Sequence, residues 1–105
     1  MATRSYNDTV KQDLQADPEF RRTLLGEVLG CMVAGDVETG KSVLRKYIDG
    51  TLGFHALSEA VGHSPADLMA MLAPSGNPPV SDFFLIVAYL QKIDSTVLTV
   101  QGLAA

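Results

Sequence analysis

The sequence predicts an all-α fold of about six short helices, with one strand at the C-terminal end. Three observations predict it. Apolar residues recur at three- and four-residue spacing over most of the chain. Those stretches are opened by good helix caps (Ser5, Asp17, Asp36, Ser64) or closed by glycine (Gly35, Gly50, Gly62). Only Ser95–Gln101, with Val97, Thr99 and Val100, is rich in the β-branched residues that favour a strand.

Taken in order, Ser5 and Asp8 form a capping box, and Tyr6, Val10 and Leu14 recur four apart, giving an amphipathic helix over Tyr6–Ala16. Asp17-Pro18-Glu19 supplies a cap, a first-position proline and a first-turn carboxylate. The helix that follows to Ala34 sets Phe20, Leu24, Val28 and Cys31 on one face, flanked by Leu25, Leu29 and Met32. So broad a stripe implies burial on two sides. Gly26 and Gly30, four apart, are expected to let a neighbouring helix approach. Asp36 caps a third helix, Val37–Asp49, whose Val37, Gly40, Leu44, Tyr47 and Ile48 form one face, with Lys41 and Arg45 projecting together from another part of its surface.

The stretch Gly53–Ile93 organises the rest. Phe54, Leu57 and Val61 share a helix face, Gly62 turns the chain, and Ser64, Pro65 and Asp67 start a second helix over Pro65–Leu72. Leu68, Met69, Met71 and Leu72 supply its apolar face. Two helices about a tight glycine turn are the helix-turn-helix signature, whose second helix enters the DNA major groove. That geometry makes Ser64, Ala66, Asp67 and Ala70 the expected DNA-facing residues, flanked by Thr51, His63, Ser75 and Asn77. After the loop Pro74–Pro79, the helix Val80–Lys92 is apolar nearly all round, and so is either enclosed or shared with another subunit. The strand at 95–101 has no mate in the chain, and single strands are unstable in water. A two-fold homodimer is expected to use one or both, through Phe84, Tyr89, Val97, Leu98 and Val100.

At 105 residues the chain is one domain: N-terminal helices over about 6–34, a helix-turn-helix region over 36–93 and the strand at 95–101. Its 47% hydrophobic and 19% charged residues are those of an ordinary globular protein. The single cysteine, Cys31, precludes an internal disulfide and reads as a small core residue. The N-terminus has no apolar signal core, and Phe83–Leu90 is too short to span a bilayer, so a soluble cytoplasmic protein is expected with no membrane contact. Charge is uneven. Through Lys46 seven basic residues balance seven acidic ones; beyond it Lys92 alone faces five carboxylates, so the second half carries the whole net charge of −4. DNA affinity comes mostly from Lys and Arg on phosphates, and none lies between Tyr47 and Gln91. Weak non-specific DNA binding follows.

Gly35–Ser42 (GDVETGKS) fits the phosphate-loop pattern letter for letter, but it follows a helical stretch rather than a buried strand, and Asp36 and Glu38 would sit beside the phosphates. It is read as a helix junction. His55 and His63 have no partner at metal-ligand spacing, and Ser64 reads as a cap rather than a nucleophile. No enzyme, cofactor or metal is expected.

The stretch Ala34–Gln91 resembles the bacterial addiction-module antidote (antitoxin) family. The match rests on Gly53-Phe54, Ala56-Leu57, Gly62, Ser64-Pro65, Leu68-Met69, Met71-Leu72 and Gly76-Asn77-Pro78 before an apolar helix. The resemblance implies a phage-repressor-like helix-turn-helix fold. It implies an antitoxin that neutralises a ribonuclease-type toxin and represses its own operon by binding operator DNA as a dimer. Relatives of that kind carry Lys or Arg where this chain has Ala66, Ala70 and Ser75. The alternative reading is a protein-interaction module on the same fold that works without DNA.

Overall fold

A computed structural model describes residues 6–99 and Gly102, with side chains from Thr9 onward. Six helices follow one another: α1 (Tyr6–Ala16), α2 (Pro18–Val33), α3 (Val37–Gly50), α4 (Gly53–Val61), α5 (Pro65–Leu72) and α6 (Val80–Ile93). Their ends are local chemistry. The Asp17 carboxylate accepts from the amides of Glu19 and Phe20 at 3.0 and 3.3 Å, and the Ser64 hydroxyl accepts from Asp67 at 3.1 Å. The Gly35 and Asp36 amides return to the carbonyls of Met32 and Cys31, closing α2 with a Schellman turn whose left-handed residue is Gly35 (φ 84°). Asp36 at once caps α3 by accepting from the Thr39 amide at 3.3 Å. The phosphate-loop match is thus a C-cap fused to an N-cap, with Gly40, Lys41 and Ser42 inside a helix.

α3 is the central element. α1 and α2 both pack along it, and α4 and α5 pack on its other side; α6 rests on α4. One core runs through all six helices: Leu14, Leu25, Val28, Leu44, Tyr47, Ile48, Leu57, Leu68, Leu72, Phe83, Ile86, Val87 and Leu90. The N-terminal helices are therefore part of the domain's core. The close helix approach lies elsewhere than expected. No atom comes within 4 Å of a Cβ built on Gly26 or Gly30; these glycines line a groove of about 210 Å³ with Leu29, Val33, Leu98 and Thr99. The tight contacts are on α3, where a Cβ on Gly40 would stand 2.8 Å from the Met32 sulfur and one on Gly50 would press on Leu14 of α1.

The expected C-terminal strand is absent among the described residues: Thr96–Thr99 join no ladder, and Val100 and Gln101 lie outside them. β-propensity needs a neighbouring strand to express itself. The tail folds back instead. Ser95 takes φ 51°, the Ser95 and Thr96 amides donate to the carbonyls of Lys92 and Gln91, and the Leu98 amide donates to Gln91 Oε1 at 2.8 Å. Leu98 packs on the core. Beneath it, Arg21 Nε meets Asp94 Oδ1 at 2.9 Å while its Nη1 donates to the Leu14 carbonyl, and the Tyr47 hydroxyl donates to Asp94 Oδ2 at 3.4 Å. This clasp ties α1, α2 and α3 to the end of α6. Burial, reinforced by the Asp94 carboxylate, pushes the Tyr47 phenol up to about 12. Among the described residues no helix is long and apolar enough to cross a membrane.

Candidate functional site

The surface singled out by the sequence is the turn and helix after α4. Gly62 closes α4 in the left-handed conformation (φ 77°), and Ser64 and Pro65 open α5. Leu68 and Leu72 are buried, which leaves Ser64, Ala66, Asp67 and Ala70 exposed along the outer side, with Ser75 and Asn77 exposed in the loop beyond. Two expected members are occupied otherwise. The half-buried His63 has Nε2 3.2 Å from Asp82 Oδ1 at the start of α6, and the Thr51 hydroxyl donates to the Tyr47 carbonyl at 2.7 Å.

The cations nearest α5 are withdrawn too, which corrects the expectation that Lys41 and Arg45 project from the surface. Lys41 is 1% exposed. Its ammonium donates to the carbonyls of Ala73, Pro74 and Gly76 at 3.1, 3.3 and 2.6 Å and meets Glu38 at 2.8 Å. One turn on, Arg45 Nη1 donates to the Leu72 carbonyl. The last turn of α5 and its loop expose carbonyls at the negative end of the helix dipole, and two cations from α3 neutralise them. The i, i+4 spacing of Lys41 and Arg45 was visible in the sequence; the carbonyls about 30 residues onward were not.

α6 presents a second surface. Phe83, Ile86, Val87 and Leu90 face the core, whereas Val80, Phe84, Leu85 and Ile93 are between 46% and 74% exposed. Of the expected dimer residues, Phe84 lies on this outer face and Val97 is open to solvent. Tyr89 and Leu98 are half-buried against the core, and Val100 is outside the described residues.

Family models, curated proteins and solved structures all fail to match this chain. The site is therefore read from its own chemistry. Among the described residues no three His, Cys, Asp or Glu side chains converge to hold a metal ion. Cys31 is free and half-buried. What the surfaces offer is an apolar helix face, a polar helix end without an adjacent cation, and, between α1, α3 and α4, an open cleft lined by Lys11, Arg45 and Lys46.

Proposed function

We propose that this chain acts by binding protein: an antitoxin-like helical module that pairs with a second copy of itself and engages a ribonuclease-type toxin. The observation that carries the reading is the exposed apolar face of α6. A lone helix face with Val80, Phe84, Leu85 and Ile93 in water is an interaction surface in waiting. A closed two-fold pairing is the commonest way for a soluble chain to cover such a face. The toxin as partner rests on the resemblance of Ala34–Gln91 and on the acidic second half, which would attract a basic enzyme.

Operator binding is the lesser part of this reading. On this reading Ser64, Ala66, Asp67 and Ala70 would be the groove-facing side chains of a recognition helix, but Asp67 is the charged group among them and Lys41 and Arg45 are bound to carbonyls. Contacts there would come from hydroxyls and amides. The experiment has two arms. Light scattering at micromolar concentration should give about twice the 11.2 kDa chain mass, and Phe84→Asp with Leu85→Glu should return it to one. A wild-type monomer would sink the dimer. Titration of labelled duplex should show weak binding with a shallow salt slope, strengthened by Ala66→Lys and Ala70→Lys. Tight wild-type binding with a steep slope would instead make this a DNA-binding protein first.

A further inference from the structure

Positive charge is scarce here and unevenly placed. Arg21 is in the clasp with Asp94, and Lys41 is buried on carbonyls. Of the remaining described cations, Lys11, Arg45 and Lys46 line one cleft of about 350 Å³, with Val10, Ser42, Asp49 and Phe54. Ser42, Arg45, Lys46 and Asp49 follow the i, i+3, i+4, i+7 pattern of a single face of α3. Val10 and Lys11 come from α1, and Phe54 from the start of α4. In a protein of net charge −4, three cations and one carboxylate, counted over the described residues, thus line one open cleft.

We propose that this cleft binds a small organic phosphate of about mononucleotide size. The charge selects an anion. A guanidinium has five donors, and the Leu72 carbonyl takes a bond from Nη1 alone, so Arg45 keeps donors for a second acceptor. Two ammonium groups beside a guanidinium suit a phosphate, which offers several oxygens at once, better than a single carboxylate. The walls select the rest of the ligand. Phe54 and Val10 give a half-buried apolar surface on which a ring can lie, and the Asp49 carboxylate and Ser42 hydroxyl can meet a ligand hydroxyl or amino group. A volume near 350 Å³ lies at the lower end of small-molecule sites, enough for a nucleotide and too small for a larger cofactor. This pocket is separate from the phosphate-loop sequence match, which shares with it only Ser42.

Amide chemical-shift titration of the full chain with adenosine monophosphate, adenosine and inorganic phosphate tests it. Saturable shifts confined to residues 10–11, 42–49 and 54 are expected with the mononucleotide and none with adenosine. Lys11→Ala and Lys46→Ala, both at exposed positions, should each weaken binding about tenfold, as loss of one charge-assisted contact does. Phe54→Leu should weaken the mononucleotide without changing inorganic phosphate. Unaltered melting of the variants, with Lys46→Gln as a second charge removal, keeps folding out of the readout. Absence of saturable shifts with the mononucleotide, or equal affinity in the Lys11→Ala/Lys46→Ala double variant, overturns the site. Inorganic phosphate binding as tightly as the mononucleotide, with Phe54→Leu changing neither, overturns the organic ligand.

Discussion

The two ends of α3 use positive charge in opposite ways. Near its start, Lys41 is enclosed and held by four oxygens, three of them main-chain carbonyls of the loop after α5. Near its end, Lys46 stays exposed and, with Lys11, faces an open cleft. Arg45 stands between and serves both, since its guanidinium holds Leu72 and also lines the cleft. The residue types are alike and so is the helix. What differs is whether another element brings unsatisfied carbonyls within reach. Where it does, the cation becomes part of the fold; where it does not, the cation stays at the surface and lines an open cleft.

The contrast breaks most visibly at Lys41. Lys41→Met keeps much of the stem but leaves the loop carbonyls without their donor, and should lower unfolding free energy by about 3 kcal/mol. Urea denaturation measures it, and a change below about 1 kcal/mol would mean that water replaces the ammonium freely. Gly76→Ala should act through the same loop, because a Cβ there collides with the carbonyl oxygens of Ala70 and Met71.

The inward side of the other end of α3 gives the next effect, through Tyr47. Its phenol is raised from 10 to about 12. Below pH 10 it is protonated in folded and unfolded chains alike; between 10 and 12 only the unfolded chain releases the proton. Stability should therefore fall across that window, by up to about 2 kcal/mol, and Tyr47→Phe should remove this part of the alkaline slope. Thermal melts at pH 9 and 11 for both proteins check the sign. Arg45→Ala should be smaller, about 1.5 kcal/mol, since one hydrogen bond to a carbonyl is lost. Smallest of all is Lys46→Ala, expected within about 0.5 kcal/mol of wild type in the same denaturation experiment. A Lys46 effect as large as that of Lys41 would erase the comparison.

Helix starts and stops were legible because caps act within four residues. Asp17, Asp36, Ser64, Gly35 and Gly62 do in space what their neighbours in sequence imply. The α5 face was legible in part: burying Leu68 and Leu72 by helical period leaves Ala66, Asp67 and Ala70 outside, but Met69, expected on the apolar face, is exposed with them. The strand was misread because a β-branched run is only half of a pairing, and the tail's amides found Lys92, Gln91 and the Gln91 side chain first.

By itself, then, the sequence determined the six helices, their order and the centre of each buried face, because periodicity and capping are local; it erred at the margins, where Val37 and Met69 are exposed and Gly50 lies inside α3. Only the tertiary structure decided where the long side chains go. Lys41 reaches carbonyls 32 to 35 residues away, Arg21 an aspartate 73 residues away, and His63 an aspartate 19 residues away. A flexible charged side chain reaches well beyond the neighbours in its own helix. Which oxygen it meets depends on how the helices pack, and that choice separates a structural lysine from one that faces an open cleft.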